Sequence, residues 1–139
     1  MIKFLTKIDG INNVLENNNL LEIEFEKSII IKIFNELRDN TELNFNQLLD
    51  ITAVDYPSRE FRFDLIYILQ SLTKNKKIIL KTFIKENENI ESITNIHKSA
   101  NWYERECYDL FGIEFTNHPD LRRIMTDYNF EGYPLRKDF

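Results

Sequence analysis

Alternation of apolar and polar residues is the sequence feature that most constrains the fold of this chain. Residues 21–26 read Leu-Glu-Ile-Glu-Phe-Glu, and apolar side chains recur at every second position across 61–70. A period of two is typical of strands with one buried face. The apolar, β-branched segment 77–85 follows closely, so we predict an antiparallel hairpin with 61–70, and a further short strand over 50–55.

Apolar residues at helical spacing predict two helices. The first covers 29–38, with Ser28 as a plausible N-cap. The second is capped by Ser92 and continues to Leu110, and Gly112 follows at the position of a left-handed C-cap.

Two weaker patterns complete the first part of the chain. Spacing over 2–15 predicts a helix that Gly10 weakens, and 45–49 predicts a short helical turn. Together the segments predict an α+β domain over 1–112: a two-layer sandwich of a mainly antiparallel sheet with helices on one face.

The last forty residues differ in composition from the rest of the chain. They hold nine of the eighteen aromatic residues, and four Arg to one Lys, against three Arg to ten Lys before them. Arg and aromatic residues together are typical of protein interfaces. Residues 113–139 are too irregular for a helix or strand and too aromatic for a disordered tail. We therefore predict an extended C-terminal arm that docks on a partner.

Candidate catalytic groups in this region do not converge. Glu104 and Glu106 diverge around a helix, and Asp109 is placed for an i,i+4 ion pair with Arg105. Cys107 falls on the apolar stripe of the helix, where a thiol packs as a small hydrophobic group.

A metal- or thiol-dependent enzyme is a further alternative. His118 with Asp120 lacks further metal ligands, because His97 and Cys107 lie on the predicted helix. We therefore predict no metal and no catalytic residue.

Charge and composition bear on partners and location. The net charge is -5, with no basic stripe for nucleic acid, although Arg122 and Arg123 beside Tyr128 could stack single strands. A single cysteine fits a reducing compartment. No apolar run reaches the roughly 18 residues of a membrane span, and the N-terminus lacks a signal sequence. An independent protein- or nucleic-acid-binding module stays open as an alternative.

Three stretches carry a resemblance to a known family. They read, with their ranges, Ala-Asn-Trp-Tyr-Glu-Arg-Glu (100–106), Tyr-Asp-Leu-Phe-Gly-Ile (108–113) and His-Pro-Asp-Leu-Arg-Arg-Ile (118–124). With Phe-Glu-Gly-Tyr-Pro-Leu-Arg-Lys-Asp-Phe (130–139) and upstream matches from about residue 45, the chain resembles the 30 kDa subunit of proton-pumping NADH:quinone oxidoreductase (respiratory complex I), which is also called subunit nine in mitochondria.

The resemblance implies a structural subunit of the hydrophilic arm that binds no cofactor itself. FMN, iron–sulfur clusters and quinone then belong to partner subunits, chiefly the large quinone-site subunit on which the domain packs. The expected interface residues on this view are Trp102, Arg105, Phe111, His118, Arg122, Arg123, Tyr128 and Arg136.

The resemblance also implies a location. It is the matrix side of the mitochondrial inner membrane, or the cytoplasmic side of a bacterial membrane. The abundance of Ile, Asn and Lys, 46 of 139 residues, indicates an A/T-rich genome and favours the mitochondrion.

Two departures from the family pattern carry expectations of their own. Tyr133 stands where relatives usually have His. Relatives also continue for several dozen residues beyond the equivalent of Phe139, so we expect a separate chain, a natural shortening or a trimmed product to explain the difference.

Overall fold

The computed structural model describes residues 8–17, 20–123 and 131–138. Within them lie seven strands and two helices: β1 (Ile11–Asn17), β2 (Leu20–Phe25), α1 (Ile30–Asp39), β3 (Gln47–Asp55), β4 (Phe63–Ser71), β5 (Lys76–Ile84), β6 (Asn89–Glu91), α2 (Ala100–Phe111) and β7 (Glu114–Thr116). A 3-10 turn at Lys27–Ile29 precedes α1. Ser28 lies within this turn and the N-cap position of α1 is Ile29, so the prediction of Ser28 as the N-cap was wrong.

Five strands form one mixed sheet in the order β1-β2-β5-β4-β3. The pairs β1–β2, β3–β4 and β4–β5 are antiparallel, whereas β2 and β5 are parallel neighbours. The hairpin predicted from residues 61–70 and 77–85 is confirmed. After β2 the chain passes through α1 and enters the sheet again at its far edge as β3. The strands β4 and β5 then follow inward, and β5 lies beside β2 and parallel to it.

Both helices cover the same face of the sheet. Phe34 of α1 packs edge-on against Tyr67 of β4, with ring centroids 5.0 Å apart, and against Phe25 of β2 at 6.3 Å. Cys107 of α2 lies over β3, where its thiol is 3.5 Å from the Ile51 carbonyl oxygen. The predicted class, α+β with a mainly antiparallel sheet and helices on one face, is confirmed, and so is the burial of Cys107 on the apolar stripe.

Three local predictions were wrong. Ile11–Asn17 is a strand, not part of a helix, because antiparallel pairing with β2 satisfies its backbone; residues 1–7 of that prediction lie outside the described residues. Gln47–Leu49 begin β3 rather than ending a helical turn. The second helix begins at Ala100, since residues 93–97 form a separate turn in which the His97 N–H bonds the Ile93 carbonyl.

Two short strands were not predicted, and the second lies in the segment that was wrongly predicted to be too irregular for a strand. Asn89–Glu91 and Glu114–Thr116 pair in parallel as a small second sheet. Each strand has only three residues, too few for a period to show in the sequence.

The Tyr67 hydroxyl yields a test of the core. Tyr67 is fully buried, and its hydroxyl has no hydrogen-bond partner among the described residues. Because an unpaired buried hydroxyl is costly, Tyr67→Phe should leave the free energy of unfolding unchanged or raise it by about 1 kcal/mol. Urea unfolding followed by circular dichroism measures this. Tyr67→Ala, which also empties the ring's space, should lose about 3 kcal/mol or more; a similar loss in Tyr67→Phe contradicts the expectation.

Candidate docking surface

Helix α2 presents one face to the sheet and the opposite face to solvent. Ala100, Glu104, Cys107 and Phe111 are buried at intervals of three or four residues. Trp102 points the other way and is 51% exposed. An indole exposed to this degree is unusual, because large aromatic side chains are normally buried unless a partner covers them.

Residues 117–123 lie against α2, to which they are hydrogen-bonded at Asn101 and Arg105, on either side of Trp102 in the chain. Arg105, one turn beyond Trp102, donates from Nε to the carbonyl oxygen of Arg122 at 3.1 Å. The Arg122 side chain is 71% exposed, and its guanidinium donates two hydrogen bonds of 2.7 and 2.6 Å to the Asp120 carboxylate. We call Trp102 and Arg105 of α2, together with Asp120 and Arg122, the docking surface. The sequence predicted an ion pair between Arg105 and Asp109, but the structure gives Arg105 this carbonyl instead.

His118 anchors the segment to the helix. Its imidazole has no solvent exposure and lies with Nε2 3.1 Å from the Asn101 carbonyl oxygen. Its Nδ1 accepts the N–H of Asp120 at 2.9 Å. His118 was predicted as an interface residue, and the structure places it beneath the docking surface as a support.

Glu104 lies directly below His118. The Glu104 carboxyl is fully buried, with Oε1 3.9 Å from His118 Nε2. It accepts hydrogen bonds from the Ser92 hydroxyl at 2.6 Å and the Ile93 N–H at 2.9 Å. Burial raises the pKa of Glu104 to about 7, against the opposing effect of these two bonds. Ser92 therefore bonds a side chain of α2 and does not cap a helix.

Arg123 turns into the domain, unlike Arg122. Its guanidinium lies 3.5 Å from the fully buried Asp109 carboxylate and 4.9 Å from the ring centroid of Tyr133. The two adjacent arginines thus face different surroundings, which the sequence could not distinguish.

Residues 131–138, which we call the C-terminal clasp, lie against the end of α2. The Leu135 N–H donates to the Leu110 carbonyl at 3.0 Å, and Arg136 Nε donates to the Phe111 carbonyl at 2.7 Å. These carbonyls have no partner inside the helix, so the clasp caps it. The Arg136 guanidinium also lies over the rings of Phe63 and Tyr133, 5.3 and 4.7 Å from their centroids.

A buried arginine fixes the clasp to the sheet. Arg62, just before β4, forms two bonds of 2.6 and 2.9 Å with Asp55 at the end of β3. It also pairs with Glu86 at 3.2 Å and with Asp138 of the clasp at 2.8 Å. Asp55 in turn accepts the Lys137 N–H at 2.7 Å. Hydrogen bonding by Arg62 holds the pKa of Asp55 below its usual range.

The structure distributes the predicted interface residues over three settings. Trp102, Arg105 and Arg122 share the docking surface. Phe111 is buried and packs edge-on against Phe63, and Arg136 is held within the clasp. Tyr128 lies outside the described residues. A partner role for each stays a prediction, as does the domain boundary after Gly112.

The sequence did not predict the cluster of Arg62 with Asp55, Glu86 and Asp138, which we call the ionic centre. The signal available was an arginine between Phe61 and Phe63 in an alternating strand, a pattern that indicates a solvent-facing side chain. The structure buries this side chain instead, because its guanidinium pairs with Asp55, Glu86 and Asp138, and Asp138 lies 76 positions away in the chain.

Metal clusters and membrane-spanning helices are absent from the described residues. No group of three or more His, Cys, Asp or Glu side chains suited to a metal occurs in these ranges. None of the helices there is long and apolar enough to cross a bilayer. Burial raises the pKa of the Cys107 thiol, which keeps it protonated.

Comparison with known proteins assigns the family. The sequence profile described as "Respiratory-chain NADH dehydrogenase, 30 Kd subunit" matches residues 23–139. The chain belongs to this family. A subunit of the NADH-quinone oxidoreductase of Ruegeria pomeroyi is 51% identical over 119 residues, and the 30.4 kDa subunit of mitochondrial NADH-ubiquinone oxidoreductase of Neurospora crassa is also 51% identical over 119.

Solved structures agree with this 30 kDa subunit family assignment. A trypsin-resistant fragment of Nqo5 is 30% identical, with a TM-score of 0.66 over 78% of this chain and 89% of the fragment. A chain of an archaeal membrane-bound sulfane sulfur reductase is 26% identical, with a TM-score of 0.85 over 99% of this chain and 82% of that one. The matches to the bacterial and fungal relatives cover 86% of this chain, and the chain spans 60% of the length of the bacterial relative and 42% of the fungal one.

Gly112 offers a test of how closely the clasp packs against the end of α2. Its φ is +79°, and an added Cβ would lie 2.7 Å from the Tyr133 ring and 2.8 Å from Arg136 Nη2. Gly112→Ala should therefore lose about 1–3 kcal/mol of stability, from the strained φ and the displaced clasp. Thermal unfolding measures the loss. The control is the same Gly112→Ala change in a Tyr133→Ala, Arg136→Ala background, which removes both close side chains and should lose less stability on the change. Equal losses in the two backgrounds contradict a close approach at Gly112.

Asp55 offers a test of the ionic centre. Asp55→Asn leaves the Arg62 guanidinium buried without its main carboxylate, so we expect a loss of about 3 kcal/mol at pH 7. Because the pKa of Asp55 is lowered in the fold, its contribution is present above about pH 4 and lost as pH falls through the lowered pKa. Denaturant unfolding at pH 7 and pH 3 measures both effects. The exposed pair partner Asp39, changed to Asn, serves as the control and should have little effect; an equally small effect in Asp55→Asn contradicts the role of the centre.

Proposed function

We propose that the chain is a non-catalytic structural subunit of the peripheral, hydrophilic arm of a proton-pumping NADH:ubiquinone oxidoreductase, complex I. Its membership of the 30 kDa subunit family supports this, as do relatives named as subunits of NADH-quinone and NADH-ubiquinone oxidoreductases. In this role it assists electron transfer from NADH to quinone by holding the subunits that carry the redox groups in place.

The docking surface is the observation that carries the proposal. Trp102 and Arg122 are exposed, while the residues that support them are fixed by hydrogen bonds to α2. Trp and Arg are the residue types that most often dominate binding at protein interfaces. A surface already held in one conformation binds with a smaller loss of conformational entropy.

Partners and cofactors follow from the same proposal. The main partner is the large quinone-site subunit, and other peripheral-arm subunits contact the remaining surface. FMN, iron–sulfur clusters and quinone are bound by those partners, and this chain binds none of them. The complex then lies on the matrix side of the mitochondrial inner membrane or on the cytoplasmic side of a bacterial membrane. The fungal relative, which is named mitochondrial, supports the first location.

Co-purification of the complex tests the proposal. The double variant Trp102→Ala with Arg122→Ala should lower the amount of chain recovered with the other peripheral-arm subunits by about tenfold or more, because both changes remove interface contacts. Gentle purification from native membranes, followed by identification and quantification of the co-purifying chains, measures the effect. Arg123 is left unchanged, since its pairing with Asp109 makes it part of the fold.

A matched control is available on the β4–β5 turn. Leu72 is 60% exposed and Lys74 lies two residues further on, so Leu72→Ala with Lys74→Ala removes one exposed apolar side chain and one positive charge elsewhere. This control should co-purify like the unchanged protein. Recovery of the Trp102/Arg122 variant at the control's level, or isolation of the unchanged chain without complex I subunits, would overturn the proposal.

A further inference from the structure

Glu104 is a buried ionisable group that can exist in two protonation states without losing a hydrogen bond. When the carboxyl is ionised, the Ser92 hydroxyl donates to its Oε1 at 2.6 Å. When it is protonated, its own O–H can donate to Ser92 Oγ, and the Ser92 hydroxyl can turn to donate to Thr94 Oγ1 at 3.0 Å. The Ile93 N–H bonds Oε2 in both states. A carboxyl with partners for both states is suited to exchange a proton while the domain stays folded.

The hydrogen bonds of His118 determine its own tautomer. Because Nδ1 accepts the Asp120 N–H, that nitrogen carries no proton, and Nε2 donates its proton to the Asn101 carbonyl. The imidazole is therefore neutral while it covers Glu104. It cannot supply a compensating positive charge unless the bond to Asp120 breaks.

The other titratable groups around Glu104 are neutral as well. Tyr67 reaches it from β4 and Cys107 from its own helix, and burial raises the pKa of both. Within the part of the chain that the structure describes, these two groups and His118 from the 117–123 segment are the titratable groups that interact with the carboxyl. Among the described residues, an ionised Glu104 would thus have hydrogen bonds but no lysine or arginine as an ion-pair partner.

We propose that the protonation state of Glu104 controls how firmly residues 117–123, which include Arg122, are held against α2. When Glu104 loses its proton, the packing of His118 over the carboxyl is weakened and this segment separates from the helix more readily. The imidazole and the carboxyl are both unexposed and 3.9 Å apart, so displacement of His118 admits water to Glu104. Water stabilises the ionised carboxylate, and the opened segment is therefore the state that ionisation favours. The proposal concerns the chain itself and does not depend on which partner the docking surface binds.

The direction of the pH effect follows from the raised pKa. Glu104 binds its proton up to about pH 7 when covered and to about pH 4.5 when hydrated. Between these pH values Glu104 is protonated while residues 117–123 lie against α2 (the closed state) and ionised when they are displaced (the open state). The contribution of Glu104 to closure is fully present below about pH 4.5 and is lost as pH rises through 7.

Amide hydrogen exchange of the full chain tests this linkage. The readout is the opening constant at the Asp120 N–H, obtained from its exchange rate relative to an unstructured peptide. Glu104→Gln keeps the shape and hydrogen bonds of the side chain but cannot ionise. The ratio of the opening constants, unchanged protein to Glu104→Gln, should rise about tenfold per pH unit from pH 5 to 6.5 and level off above pH 7.

The control and a second measurement keep the test decisive. Glu106→Gln removes a carboxylate two residues away on the same helix, and its ratio to the unchanged protein should not vary with pH. A carbon-13 NMR titration of the unchanged protein needs no variant and should show the Glu104 carboxyl changing near pH 7. A Glu104 ratio that is constant with pH, or a carboxyl midpoint near 4.5, overturns the proposal. Either result leaves the co-purification test of the docking surface unaffected.

Discussion

The ion pair between Arg62 and Asp55 is the interaction on which the arrangement of the helix-covered face depends. It joins the end of β3 to the start of β4 and, through Asp138 and the Lys137 N–H, attaches the clasp to both. A buried guanidinium needs carboxylate partners, since an unpaired charge in this position would cost several kcal/mol. These ion pairs and hydrogen bonds connect the start of β4 and the end of β3 to the clasp, which lies more than seventy residues further along the chain.

Helix α2 is held at both ends as a consequence. At its C-terminal end, the clasp bonds the carbonyls of Leu110 and Phe111. Near its N-terminal end, Glu104 ties it to the turn at residues 92–94, and His118 ties residues 117–123 to it. The exposed side of the helix is therefore presented in a defined orientation, which suits a subunit whose proposed task is to hold others in position.

The two ends differ in the chemistry that holds them. The clasp is fixed by fully formed ion pairs that persist at neutral pH. The segment that carries Arg122 is fixed over a buried carboxyl whose pKa is raised to about 7, so its attachment is sensitive to pH in the neutral range. The contact of α2 with the clasp is thus independent of pH near neutrality, whereas its contact with residues 117–123 depends on pH.

Much of the fold could be predicted from local patterns. The alternation in 61–70 and 77–85 predicted the β4–β5 hairpin, and the apolar spacing in 29–38 predicted α1, because side-chain periodicity reports directly which face of an element is buried. Gly112 was predicted as a C-cap because a positive φ suits glycine. The strand Ile11–Asn17 was mispredicted as helix because Ile11, Val14 and Leu15 have helical spacing. An irregularity of register between Ile11 and Asn13 interrupts the alternation of the strand, so only its pairing with β2 reveals it.

For the candidate site, the sequence by itself determined which residue types were concentrated near the C-terminus, that Cys107 would be buried, and which family the motifs resemble. Only the tertiary structure decided that β5 lies beside β2, that Arg122 faces solvent while Arg123 faces Asp109, and that Glu104 lies under His118. The physical reason is that a period encodes the direction of a side chain relative to its own element. The partner of a buried charge is set by contacts between distant segments, which exist only once the chain has folded.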